Sequence, residues 1–218
     1  MKQQIIIIVV VITISVLTLN FHCGKDVLNV PYEYEFTGAV DIYPLKKSYS
    51  LNDTIWIETD LPSKFLYDSK SGLTINADTT KILFRATYNE FGTSITNPPS
   101  GFCEVISSNG NIVQQRLSQW ATGGDIQYGC GKPDFKCRIG FKPNYRGTYS
   151  LVLQKEDLLG NCPGKIKPIY ATVSLRYKNV DLNRDIFDGL PNSEKGGDLG
   201  TFYINKINNR EAFIIKVE

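Results

Sequence analysis

The chain has 218 residues, with 24 Lys and Arg against 22 Asp and Glu, a net charge of +2 and a single histidine. The charges are interspersed, which excludes the clustered basic face that a nucleic-acid backbone demands. A hydrophobic content of 42% is enough for a buried core in one large or two small domains.

The chain opens with one charge, Lys2, and then an apolar run from Ile5 to Leu19 broken only by Thr13, Ser15 and Thr18. A spanning helix needs about 20 apolar residues, so the run fits the h-region of a secretory signal better. Reading it on to Phe21 gives the alternative, an uncleaved anchor. Between Ser15 and Tyr34 there is no A-x-A-like cleavage site; Cys23, Gly24, Lys25 and Asp26 follow the run instead. This placement resembles bacterial lipoprotein signals, in which the cysteine is acylated and becomes the first residue. Asn20 and His22 depart from that pattern, which has an apolar residue three before the cysteine and a small one just before it. The resemblance implies a signal over 1–22, lipid attachment at Cys23 and a tether over 23–31. A mature lipoprotein carries two or three acyl chains, and two suffice for stable anchoring. The membrane is then a partner, and the location is the bacterial cell envelope, anchored at the outer membrane. Without acylation, Cys23 is a spare thiol in a removed or irregular segment.

Strand patterns dominate the rest. Tyr32, Tyr34 and Phe36 alternate with Glu33, Glu35 and Thr37, and Ile82, Phe84, Ala86 and Tyr88 alternate with Leu83, Arg85 and Thr87. The same period of two runs through Tyr149–Gln154, Ile169–Tyr177 and Phe213–Val217, as half-buried antiparallel strands require. Shorter candidates are Thr54–Thr59, Phe102–Ile106, Asn111–Leu117 and Thr201–Ile204. Residues 62–80 read as a long connection with one short strand. "NPPSG", "ATGGD", "NYRGT", "GNCPG" and "EKGGD" read as turns or loops, and Asn109-Gly110 reads as a hairpin between two strands. Helical periodicity is confined to Leu182–Leu190. This pattern predicts an all-β, immunoglobulin-like antiparallel sandwich over 32–177. Residues 178–218 are expected as a C-terminal extension packed on the sandwich edge.

"YSLNDTIWIETDLP" (49–62) and "FKPNYRGTYSLVLQ" (141–154) resemble segments of immunoglobulin-like domains in bacterial surface lipoproteins. There, an Asn-Asp turn opens an early strand and a Gly-Thr-Tyr turn opens a late one. The resemblance supports the sandwich and implies no activity.

An exported chain reaches a space where disulfides persist. Cys103, Cys130, Cys137 and Cys162 allow three pairings. The short loop "CGKPDFKC" favours Cys130–Cys137, leaving Cys103–Cys162. No CxxC occurs, so structural zinc is disfavoured. Asp181, Asn183 and Asp185 have the opening spacing of a calcium loop, but Ile186 and Asn192 occupy its required Gly and Glu positions. They read better as helix-capping residues. No metal and no cofactor is expected.

Cleavage before Cys23 removes His22, the only imidazole. A chain without histidine lacks the usual base near neutral pH and cannot form a Ser-His-Asp site. Carboxylate pairs remain as a route to glycan hydrolysis: Glu58 with Asp60, Asp125 with Asp134, and Glu156 with Asp157. None has a supporting motif. The favoured reading is therefore a non-enzymatic protein that binds a protein or polysaccharide, with contacts in loops 92–101 and 118–147. Trp120, Tyr128, Phe135 and Tyr145 are its candidate ligand-contacting rings. The alternatives are a carboxylate-dependent glycan-active enzyme and a subunit of an envelope assembly.

Overall fold

The period-two patterns become strands that turn their apolar residues to one side. We describe them from a computed structural model over residues 32–92, 101–109, 111–117, 121–154, 159–164, 169–195 and 199–218. The expected signal over 1–22, Cys23 and the expected tether over 23–31 lie outside the described residues.

Strand β1 (Glu33–Tyr43) extends well past its sequence pattern and buries Phe36, Gly38, Val40 and Ile42. It is followed by β2 (Ser48–Tyr49), β3 (Ile55–Asp60), a small hairpin of β4 (Phe65–Tyr67) and β5 (Thr74–Asn76), and the long β6 (Thr80–Phe91). Next come β7 (Cys103–Asn109), β8 (Asn111–Leu117), β9 (Ala121–Tyr128), β10 (Arg138–Pro143), β11 (Gly147–Gln154), β12 (Leu159–Asn161) and β13 (Tyr170–Tyr177). A 3₁₀ turn (Val180–Asn183), α1 (Arg184–Asp188), α2 (Leu199–Asn208) and β14 (Ala212–Val217) complete the chain.

Two sheets result. One has the order β13-β1-β3-β10-β7; the other has β2-β14-β11-β6-β9-β8, with β12 also on β6. They pack face to face as an all-β sandwich. Tyr88 of β6 stacks on Phe141 of β10 at 6.2 Å across the core, and on Tyr149 of β11 at 4.5 Å. The Gly-Thr-Tyr turn has a clear role. The Tyr149 hydroxyl donates back to the Tyr145 carbonyl at 3.1 Å, a tyrosine corner that fixes the entry to β11.

Several expectations are corrected. The sandwich is not wholly antiparallel, because β1 pairs in parallel with β13, and β14 with β2. Asn109-Gly110 does not close a hairpin, because the strands before and after it belong to different sheets: β7 pairs with β10 and β8 with β9. "ATGGD" is part of β9. Its Gly124 is small for a packing reason, since a Cβ there would lie 3.0 Å from Val105 of the facing sheet. Thr201–Ile204 falls within helix α2, which sets Tyr203 and Ile207 one turn apart on its packed side. The Tyr203 ring meets Phe91 edge-on at 4.7 Å.

The stretch 178–218 is not an addition to the sandwich edge. It supplies β14, which lies between β2 and β11. Ala212, Phe213, Ile214 and Ile215 are all buried. Such a run, without alternation, marks a strand covered on both faces. The helices form that second cover, and buried Asn183 ties them down by donating to the Ile214 carbonyl at 2.9 Å.

The disulfide pairing differs too. Cys130 is bridged to Cys162, with 5.5 Å between their Cα atoms, while Cys103 and Cys137 are free and buried. Thr59 explains why Cys137 cannot join Cys130. Its amide donates to the Cys137 carbonyl at 2.9 Å, and its hydroxyl accepts the Cys137 amide at 2.7 Å, holding this segment against β3. Nor can Cys137 reach Cys103. Cys103 is paired with Pro143, at the other end of β10 from Arg138.

Candidate functional site

Of the four rings expected to form a contact surface, the structure describes the side chains of Phe135 and Tyr145. Phe135 is fully buried, with the Lys64 ammonium 3.6 Å from its ring centre. Tyr145 is half-buried against the core. Tyr128 belongs to β9, opposite Ile82. Trp120 lies outside the described residues, as does most of loop 92–101. Region 118–147 is therefore not a display loop, since β9 and β10 occupy much of it.

Of the carboxylate pairs, Asp125 is held by Arg85 at 2.9 Å on the larger sheet, and the Asp134 carboxylate accepts the Lys136 amide at 3.3 Å. Glu156 and Asp157 lie outside the described residues. Glu58 belongs to a more developed surface.

That surface is the outer face of the five-stranded sheet. Residues directly opposite on neighbouring strands point to the same side, so register alone builds two rows. The first is Tyr43, Trp56, Gly140 and Ile106; the second is Asp41, Glu58, Arg138 and Asn109. Trp56 points outward because Ile55 and Ile57 point in, both buried. Its indole covers the place where Gly140 lacks a side chain. A Cβ on Gly140 would lie 2.9 Å from the Trp56 ring and 2.6 Å from Thr54 Cγ2. The Arg138 guanidinium sits over the same indole at 4.5 Å, a cation–π contact. Tyr43, beside it, is 62% exposed.

A cleft of about 400 Å³ opens along the charged row. Asp41, Glu58, Lys136 and Arg138 line it with Ser108 and Asn109, over Thr59 and Cys137. Asp41 pairs with Lys178 at 2.6 Å and Glu58 with Arg138 at 3.0 Å. The Arg138 Nε is buried, and its N–H has no aligned hydrogen-bond acceptor. Both signs of charge thus alternate beside an aromatic step. Such a surface presents donors and acceptors to a ligand without a strong net field.

The free thiols add no nucleophile. Burial pushes the Cys137 thiol up to about 12 and raises that of Cys103 still further. Each stays protonated near neutral pH, and the thiolate is the reactive form. Among the described residues no group of three or more His, Cys, Asp or Glu is placed to hold a metal ion. None of the described helices is long and apolar enough to cross a membrane.

Sequence reasoning placed none of Trp56, Tyr43, Asp41 and Arg138 in the site. One signal was present. The alternation of β1 continues through Val40 and Ile42, which turns Asp41 and Tyr43 outward. The partnership with β10 was invisible, because it depends on strand order.

No family model matches the chain, and no curated protein matches it in sequence. A cohesin module from a family 33 glycoside hydrolase of Clostridium perfringens is similar in structure, with a TM-score of 0.31 and 14% identity. The similarity covers 66% of this chain and 99% of that module. A likeness this loose bears on neither ligand nor partner.

Proposed function

We propose that the protein is an exported, lipid-anchored module of the cell envelope that binds a glycan without catalysing a reaction. The binding surface is the outer face of the five-stranded sheet. The observation that carries this reading is the pairing of two rows, aromatic and charged, on adjacent positions of the same strands. A sugar ring presents an apolar C–H face and a rim of hydroxyls. Tyr43 and the indole edge suit the first. Asp41, Glu58 and Arg138, as charged acceptors and donors, suit the second. A 400 Å³ cleft falls in the size range of ligand sites. The apolar run Ile5–Leu19 followed by Cys23 supports export and anchoring.

The test is affinity electrophoresis and calorimetry against a panel of envelope and extracellular polysaccharides, with wild type, Tyr43→Ala and Arg138→Ala. Each substitution is expected to weaken binding about tenfold, equivalent to about 1.4 kcal/mol. Binding that both variants retain in full would refute the site. Release of new reducing ends from a bound glycan would replace binding with catalysis.

A further inference from the structure

One end of the molecule carries an apolar surface that the glycan reading does not use. Phe65, Tyr67 and Leu73 are 62%, 63% and 61% exposed. Phe65 and Tyr67 lie on the side of the β4–β5 hairpin away from buried Leu66, and Leu73 lies at its turn, opposite Asp68. Tyr170, 50% exposed, stands at the start of β13 opposite Glu33, the first residue of β1.

The hairpin is fastened firmly to that end of β1. Asp68 bridges to Phe36, and both are buried, so the neighbouring Tyr67 and Phe65 face outward. The Asp68 carboxylate accepts the Glu35 amide at 2.7 Å and the Ser71 amide at 2.9 Å. The Ser69 amide donates to the Glu35 carbonyl at 2.9 Å. Two aromatic side chains on one face and a leucine at the turn are thus displayed on a braced ribbon. Large apolar side chains exposed together on one element mark an interaction surface.

Chain connectivity indicates the occupant. The hairpin lies beside the first residues of β1, where the N-terminal segment joins the domain. From Cys23 to Glu33 the backbone reaches about 33 Å when fully extended and about 17 Å as a relaxed coil. Strand β1, 11 residues long, spans about 36 Å. A lipid at Cys23 therefore holds the hairpin end of the domain within reach of the bilayer. We infer that the β4–β5 hairpin is a membrane-surface contact, with Phe65, Tyr67 and Leu73 entering the boundary between headgroups and acyl chains. Aromatic side chains favour that depth. Exposed Lys70 and Asp78 and the nearby Glu33 give no excess of positive charge, so the contact is apolar and resists salt, unlike a polybasic patch. The inference rests on the anchoring reading above and adds to it a second point of attachment.

The experiment uses the full-length chain in phosphatidylcholine vesicles doped with a diazirine-bearing phosphatidylcholine. Wild type is compared with Phe65→Ser/Tyr67→Ser/Leu73→Ser, and lipid adducts are mapped by peptide mass spectrometry. Adducts are expected on residues 64–76 of wild type at both low and half-molar salt. In the triple variant they fall about tenfold, while adducts on the segment before Tyr32 persist. Adducts confined to that N-terminal segment overturn the hairpin contact and leave anchoring intact. Protein that neither sediments with vesicles nor takes up label overturns both. An unlabelled hairpin accompanied by concentration-dependent dimerisation assigns the surface to a second copy and also overturns the contact. The wild-type adduct map decides the matter even if the triple variant fails to fold.

Discussion

Opening the Cys130–Cys162 bridge, by Cys130→Ser/Cys162→Ser or by reductant, frees the segment after β9 from the segment after β12. The bridge spans a sequence separation of 32. Loop-closure entropy for that length gives a stabilisation of about 3.7 kcal/mol at 25 °C. In a domain of this size each kcal/mol moves the melting midpoint by about 2–4 °C, so a fall of about 7–15 °C is expected. Near-UV circular dichroism melts with and without reductant measure it. Reductant should reproduce the double variant's shift in wild type and add nothing to the variant. The pairing itself is read from a non-reducing tryptic map. Cleavage after Lys136 separates Cys130 from Cys137, so the Cys130 peptide should travel with the Cys162 peptide. A Cys130–Cys137 peptide, or identical midpoints with and without reductant, would refute the reasoning.

Alkylation under native conditions should leave Cys103 and Cys137 unmodified, and both should react after unfolding; native labelling of either would show that the burial is wrong. Alkali should unfold the protein through its buried tyrosines. Burial pushes Tyr49 up to about 12 and raises Tyr88, Tyr149 and Tyr177 as well, against about 10 when unfolded. Their contribution is complete below about pH 10 and is lost as pH climbs toward the folded values, because the unfolded chain releases its protons first. Part of the tyrosinate absorbance should therefore appear only as near-UV dichroism disappears, and complete titration with that signal intact would count against it. Gly140→Val should cost about 1–3 kcal/mol in urea melts, because its Cβ would displace Thr54 or the Trp56 indole. Unchanged stability and unchanged tryptophan emission would mean that the indole does not lie over Gly140.

Strands with one face in water were readable, because water and core impose alternation on them. Phe36 between Glu35 and Thr37 is the example in β1, whose alternation runs on through Val40 and Ile42 beyond the stretch assigned from sequence. Legibility failed where that contrast was missing. The β14 strand was legible at Phe213–Val217, but its second cover was not: with helices as that cover, Ala212–Ile215 are buried on both faces. In β9, Gly124 answers to Val105 of the opposite sheet, a constraint with no local trace. The α2 stretch is rich in Thr, Phe, Tyr and Ile, all strand formers, and only the packing of Tyr203 and Ile207 makes it a helix. The site failed for a related reason. Phe135 lies between cysteines in a loop-like segment, yet it fills the space beside Gly129, where a Cβ would meet its ring at 2.6 Å. Conversely, Arg138 meets Trp56 only because β10 lies beside β3.

The hairpin and the cleft constrain each other through β1. Glu35 receives the hairpin and Asp41 lines the cleft; six residues of strand separate them by about 20 Å. Interfacial side chains bury about 5–10 Å into the headgroup region, so a domain resting on Phe65, Tyr67 and Leu73 keeps its cleft clear of the lipid. On these two proposals the same separation makes the contacts energetically distinct, since substitutions more than 7–10 Å apart act nearly independently. Tyr43→Ala should therefore weaken glycan binding and leave the lipid adducts on residues 64–76 unchanged. Loss of both together would mean that the face works as one interface, which the 20 Å separation argues against.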